Sequence, residues 1–114
     1  MEKDMQIDVS QIQDIVVIKP SGSMDATTTN IFVNACQESL DAGAVKILID
    51  LAGIEYMSSA GLRGILTLLK GSRTKKVPVA FCNLQPMVSE VFKISGFTAM
   101  MPIYDTAEAA LAKL

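Results

Sequence analysis

LIDLAGIEYMSSAGLRGILTLLK, residues 48–70, passes from a buried-strand pattern through two serines into an apolar helix pattern. A strand that leads into a helix makes the chain α/β at this point and sets the hydroxyls of Ser58 and Ser59 at a helix N-terminus. The first turn of a helix carries unpaired N–H groups and a partial positive charge, so an oxygen or an anion is favoured there. Serine is among the preferred N-cap residues, and capping alone is one reading of the pair. A contact point is the other, because Met57 before the serines and Ala60-Gly61 after them leave little bulk over the hydroxyls.

Upstream, residues 45–51 are a β-branched apolar run, too short for a typical helix and dense enough for a strand buried on both faces. Downstream, Leu62, Ile65, Leu66 and Leu69 follow i, i+3, i+4, i+7 spacing, which predicts an amphipathic helix packed on the sheet. Lys70, Arg73, Lys75 and Lys76 gather at its C-terminal end, where cations offset the helix dipole. With no stacking aromatics beside them they read as a solvated helix end, not a nucleic-acid site.

Towards the N-terminus, residues 5–10 and 14–19 read as a strand hairpin around a turn at 11–13. Pro20-Ser21-Gly22-Ser23 is turn chemistry, and residues 27–40 carry Ile31 or Phe32, Ala35, Cys36, Ser39 and Leu40 at helical spacing, with Asp25 as a cap and Gly43 as the stop. Towards the C-terminus, residues 77–82 are a strand, and Gln85-Pro86 opens a helix with Met87, Val88, Val91 and Phe92 on one face and Gly96 as C-cap. Residues 99–103 read as a short strand with Pro102 at an edge or end, and Asp105 or Thr106 begins a terminal helix.

The order is therefore β-β-α-β-α-β-α-β-α: a mixed β-sheet of about five strands with about four helices, built on parallel βαβ units. Loops at the carboxyl ends of parallel strands gather on one edge. The Ser58-Ser59 tip is thus expected near the Asp25 loop and the Asn83-Leu84-Gln85 loop. Met24 and Met57 fall in or beside two of these loops, where they either pack adaptively against a partner or turn inward as core filler.

A chain of 114 residues suits one domain, 1–114, and leaves no room for a separate catalytic domain. Half the residues are apolar and 19% are charged, the ordinary balance of a globular protein. The net charge of −2 hides an asymmetry: residues 1–55 hold nine acids and three bases, the remainder three acids and seven bases. No apolar run approaches the ~20 residues needed to span a bilayer, and acids stand where a signal peptide has its basic and apolar regions, so a cytoplasmic protein without membrane insertion is expected. Cys36 and Cys82, lacking any CxxC spacing, read as small core residues.

The chain contains no histidine, which removes Ser-His-Asp and Cys-His hydrolases, histidine metal sites and histidine phosphorelays together. There is no Walker loop or GxGxxG fingerprint; Gly61, Gly64 and Gly71 lie along a helix pattern and read as close-packing positions. Asp50 and Glu55 are the carboxylates nearest the serine tip, and both read as structural. No catalytic residues, metal or cofactor are expected: the pattern is that of an enzyme's substrate, not an enzyme.

Three blocks in order, GSMDATTTN at 22–30, ILIDLAGIEYMSSAGLRGIL at 47–66 and PVAFCNLQPMVSEVFKISGF at 78–97, resemble the STAS family, the anti-sigma factor antagonists (anti-anti-sigma factors) of bacteria. The resemblance covers nearly the whole chain and implies the STAS fold. Carried across by position, the family's phosphoacceptor falls on Ser59, with Ser58 as the alternative, and an acidic residue near the partner surface falls on Asp25. Sporulation-type members have Asp before the phosphoacceptor, where this chain has Ser58.

The resemblance implies a partner switch in transcription regulation. Unphosphorylated protein binds an anti-sigma factor serine kinase of the histidine-kinase-like ATPase type and frees its sigma factor; phosphorylation at Ser59 ends binding, and a serine phosphatase is a further partner. The expected contact set is Met24, Asp25, Thr27, Met57, Ser58, Ser59, Gly61, Leu62 and Arg63. Two other roles of stand-alone family members compete: a subunit of an ABC-type lipid transporter, and a scaffold protein of a stress-signalling complex.

Overall fold

The computed structural model describes residues 5–114; residues 1–4, part of the expected domain and of the stretch read against a signal peptide, lie outside the described residues. Strands β1 (Gln6–Ile12) and β2 (Ile15–Met24) form an antiparallel hairpin in continuous register from Gln6↔Ser21 to Ile12↔Ile15. The turn sits at Gln13-Asp14, two residues later than the spacing suggests, and Gln13 takes the positive φ of 57° that a two-residue hairpin needs at its first position.

Helix α1 (Thr29–Asp41) follows and ends through Gly43, whose φ of 95° is left-handed. Strand β3 (Ile47–Asp50) is buried at all four positions, as a parallel strand covered on both faces should be; Val45, expected within it, lies exposed before it. Then come β4 (Gly53–Met57), α2 (Ser59–Lys75), β5 (Val79–Cys82), α3 (Pro86–Ile94), a 3₁₀ turn (Phe97–Ala99), β6 (Ile103–Tyr104) and α4 (Ala107–Lys113).

Among the described residues the sheet therefore has six strands, where about five were expected, and the order is β-β-α-β-β-α-β-α-β-α. Its main path is β1-β2-β3-β5-β6, with β4 also paired to β2. The added strand continues β3 along the same side of β2. Val16–Ile18 pair with Ile47–Ile49, and Ser21–Met24 pair with the 53–57 segment, both parallel. Between them the Asp50 carboxylate accepts the Ala52 N–H at 3.0 Å and Ile54 N–H reaches the Leu51 carbonyl at 3.0 Å, a local turn that interrupts the strand.

Two layers cover the sheet. Ile18, Ile47, Ile49, Val79 and Phe81 meet Phe32, Cys36 and Leu40 of α1, Ile65, Leu68 and Leu69 of α2 and Val88 and Phe92 of α3. Ile15, Val17, Leu48, Ala80 and Cys82 meet Ala110 and Leu111 of α4. Alternate residues of β3 and β5 thus serve opposite layers. Phe81 and Phe92 lock sheet to helix edge-to-face at 5.9 Å, a geometry worth about 0.5–1.5 kcal/mol beyond area burial.

Some boundaries differ from the spacing. Helix α1 starts at Thr29, because residues 25–28 form a hydrogen-bonded turn. The buried stripe of α2 is Gly61, Gly64, Ile65, Leu68, Leu69 and Ser72, turned so that Gly61 faces the ends of β2 and β4, Gly64 faces α1, and Leu62 and Leu66 are left half-buried. Residues 99–103 are not a strand: the left-handed Gly96 (φ 80°) feeds the 3₁₀ turn, and only Ile103–Tyr104 pairs beyond Pro102. The Thr106 hydroxyl caps α4, accepting from Ala109 N–H at 3.1 Å.

Candidate functional site

Strands β2 and β4 end together. Met24 and Met57 are register partners, and Ser58 N–H donates to the Met24 carbonyl at 2.9 Å, so the loop starting at Asp25 and the helix starting at Ser59 leave the sheet side by side. The structure thereby brings Asp25 and the serine pair to one tip.

Asp25 organises its own turn. Its Oδ1 accepts from the backbone N–H of Thr27 at 2.9 Å and of Thr28 at 3.2 Å, and from the Thr27 hydroxyl at 2.8 Å. The Thr28 hydroxyl donates to the Ser23 carbonyl at 2.6 Å, tying the turn back to β2. These donors, the Thr27 hydroxyl first, hold the Asp25 carboxyl below the usual carboxylate range, so it stays ionised at neutral pH. Asp25 caps the turn before α1, and its other oxygen keeps free acceptor sites towards solvent.

The two serines have different environments. Ser58 is the N-cap of α2 with extended φ −93°, ψ 178°, and its carbonyl accepts from Leu62 N–H at 3.1 Å. Its hydroxyl makes no capping bond; Oγ is buried without a hydrogen-bond partner among the described residues. Ser59, the first helical residue, is exposed. No acid stands in the first turn of α2, so its unpaired N–H groups face outward at Ser59 without a carboxylate of their own helix.

The tip is held from below by close packing. A Cβ on Gly61 would lie 2.8 Å from Met57 Cγ and 2.9 Å from the Met24 carbonyl oxygen. One turn on, a Cβ on Gly64 would collide with Thr29 Cγ2 and lie 3.1 Å from Val33 Cγ2. Only glycine lets α2 approach β2 and α1 this closely.

Of the expected contact residues, Thr27, Ser59 and Arg63 are exposed, Asp25, Ser58 and Leu62 are half-buried, and Gly61 is buried. Met24 and Met57 are 0% and 2% exposed and belong to the core, which removes them from a partner surface: the strand pleat turns both inward. The 83–85 loop is also displaced from the tip. Asn83 Nδ2 donates to Asp50 Oδ1 at 3.2 Å and Gln85 Nε2 to the Ala52 carbonyl at 2.6 Å, so it braces the β3–β4 break, with all of β4 between it and Ser59. Asp50 is thereby engaged as a structural acceptor, while Glu55 is exposed on β4.

The sequence reading missed the neighbouring face of α1. Ala26, Thr29, Asn30 and Val33 line a groove with Ala60, Arg63, Gly64 and Thr67 of α2, opening beside the tip. The small residues spaced along both helices were its signal.

No group of three metal-ligating side chains occurs among the described residues. Cys36 and Cys82 are free and buried, and burial pushes both thiols up to about 12, with Asp50 adding to the effect at Cys82. No described helix is long and apolar enough to cross a membrane.

The STAS domain family profile matches residues 6–110. BtrV of Bordetella bronchiseptica, which carries the name of an anti-sigma factor antagonist, is 31% identical over 108 residues, covering 95% of this chain and 93% of that protein. Among solved structures, an anti-sigma factor antagonist of Thermotoga maritima superposes with a TM-score of 0.87 at 22% identity, covering 94% of this chain and 92% of the other. The Bacillus anti-sigma factor antagonist SpoIIAA matches in its unphosphorylated form with a TM-score of 0.80 at 21% identity over 95% of each chain. In its phosphorylated form the score is 0.73 at 20% identity, over 95% of this chain and 98% of the other.

Proposed function

The chain belongs to the STAS domain family, and on that premise we propose that it is an anti-sigma factor antagonist, acting as one domain over residues 1–114, whose docking tip is switched by phosphorylation of Ser59. With Ser59 as a free hydroxyl, the edge formed by Asp25, Thr27, Ser59, Leu62 and Arg63 binds an anti-sigma factor kinase and releases its sigma factor. Phosphorylated, the protein lets the kinase go, and a serine phosphatase restores it. In this role it is the substrate of a kinase and carries no catalysis of its own.

The observation that carries this reading is the contrast between the serines: Ser59 is exposed at the first position of α2, beside the ionised Asp25, whereas the Ser58 hydroxyl is buried. A kinase needs the oxygen it phosphorylates to be reachable. The names of relatives such as BtrV and the Paenibacillus polymyxa anti-sigma F factor antagonist, 28% identical over 112 residues, supply the class of partner.

Phosphorylation adds about −1.5 to −2 charges and three acceptor oxygens. At the start of α2 the dipole favours that charge by only about 0.3–1 kcal/mol, so the fold tolerates it. In a docked interface the same group, unpaired, costs on the order of several kcal/mol, and each 1.4 kcal/mol is tenfold in affinity. Affinity should therefore fall about a hundredfold or more while the fold persists.

The test is the affinity of wild type, Ser59→Ala and Ser59→Glu for the kinase-like anti-sigma factors of the same organism, with phosphosite mapping by mass spectrometry after incubation with ATP. Binding by wild type and Ser59→Ala, weakened binding by Ser59→Glu and phosphate on Ser59 are expected. Phosphate on Ser58 would relocate the switch by one residue. No phosphate and no binding to any such kinase would overturn the proposal.

A further inference from the structure

From the placement of Arg63 we infer that this side chain is the intramolecular receptor for a phosphate on Ser59, so that modification both adds an anion to the docking edge and withdraws its cation. The inference rests on the Ser59 switch above and names how that switch is built in this chain.

Arg63 stands four residues after Ser59 on α2, one turn along the same helix face. An anion N-terminal to a cation at this spacing is the favourable order, because each charge also complements its end of the helix dipole. Arg63 is exposed, and among the described residues its guanidinium has neither an ion pair nor a side-chain hydrogen bond; the two ion pairs there are Lys46–Asp14 and Lys75–Asp41. It lines the groove between α1 and α2 as the one charged residue of that lining, beside Ala26, Asn30 and Ala60. An unmatched cation in a groove of small side chains fits an incoming anion, and a phosphate on Ser59 is the one this chain generates. The planar guanidinium suits two phosphate oxygens at once.

Other charges near the tip act the opposite way or not at all. Asp25, on the loop beside Ser59, repels the dianion, as does Glu55 on β4. Helix α1 carries no acid in its first turn and no charged residue before Glu38, far along its length. Among the described residues Arg63 is thus the one cation in the first two turns of α2; Lys70, Arg73 and Lys75 lie towards the far end of that helix and Lys19 lies five residues before the end of β2.

The test uses full-length protein with phosphoserine incorporated at position 59 during translation, which makes it independent of any kinase or partner. The ³¹P shift is titrated from about pH 4.5 to 8.5 for wild type, Arg63→Ala and Arg63→Lys, with circular dichroism as a fold control. An arginine that holds the phosphate favours its dianion and lowers the second pKa, so Arg63→Ala should raise it by about 0.3 units or more. Arg63→Lys should recover part of the difference, and 1 M salt should shrink it. Superimposable titrations of wild type and Arg63→Ala would overturn the inference and leave the phosphate to solvent and the helix N–H groups. A failed binding switch with a shifted pKa would instead sink the partner reading and keep this one.

Discussion

Met24 and Met57 are register partners at the last rung of the β2–β4 pair, both buried, and the chain emerges from them as Asp25 on one side and Ser58 on the other. Two buried residues therefore set the spacing between the Asp25 loop and the start of α2. The site's geometry is thus set by the pairing of β2 with β4.

Ser58→Ala separates capping from burial. A capping serine replaced by alanine costs about 1 kcal/mol. Here the Ser58 hydroxyl makes no cap bond and is buried unpaired, so its removal should leave stability unchanged or raise it by up to about 1 kcal/mol. Urea unfolding measures the difference, and a clear loss of stability would mean that the hydroxyl caps α2 in solution.

Gly64→Ala and Gly71→Ala should move stability in opposite directions. Both gain up to about 1 kcal/mol of helix propensity. At Gly64 the new methyl collides with Thr29, and overpacking of this kind costs about 1–3 kcal/mol. At Gly71 it meets Leu40 Cδ1 at 3.5 Å, an ordinary contact. Thermal melts should place Gly64→Ala below wild type and Gly71→Ala at or above it.

Asp25 links stability to acid. Its carboxyl is held below the normal range by Thr27 and then Thr28, so the folded state binds a proton less readily than the unfolded chain. The stabilisation is complete above the unfolded carboxylate pKa and is lost as pH falls through the lower folded value. Asp25→Ala should therefore be less stable than wild type near pH 7, with the gap closing as the solution is acidified. Urea midpoints between about pH 7 and pH 3 test this; a gap that widens in acid would contradict the hydrogen-bond assignment.

The two thiols should be silent in the folded protein. With burial pushing both up to about 12, the thiolate is scarce at pH 8, and both sulfurs are buried. A thiol reagent should label neither Cys36 nor Cys82 until denaturant unfolds the chain, then label both. Rapid labelling of native protein would show that the core opens locally.

Most elements could be read from the sequence because their periods are clean. The dense run at Ile47–Asp50, the helical period of α2, though not the residues of its buried stripe, and the start of α4 at one of the two expected caps, Thr106, each obey one local rule. Strand β4 escaped because Glu55 is an extra residue against β2: the register steps from Gly22↔Ile54 to Ser23↔Tyr56. Ile54 and Met57 both turn inward with two exposed residues between them, which erases the period of two. The short β6 escaped because Gly96 and Pro102 bracket a 3₁₀ turn that apolar content alone does not distinguish from a strand.

At the site, the hydroxyl pair and Asp25 were legible from residue type and position. Which serine faces water was not, since it depends on the extended backbone of Ser58 and the methionines packed beneath the tip. The inward turn of Met24 and Met57 was equally hidden, because it depends on how β2 and β4 pair across a gap of more than thirty residues.

The interruption between β3 and β4 also governs how a disturbance at the tip spreads. Among the described residues, β1 accompanies β2 as far as Ser21, and Ser23 and Met24 bond within the sheet to β4. Among the described residues, the serine tip therefore rides on the paired ends of β2 and β4, beyond the stretch of β2 that β1 and β3 flank. A partner that grips it, or a charge placed on it, strains a short ribbon first and reaches the four-residue buried strands at the centre last.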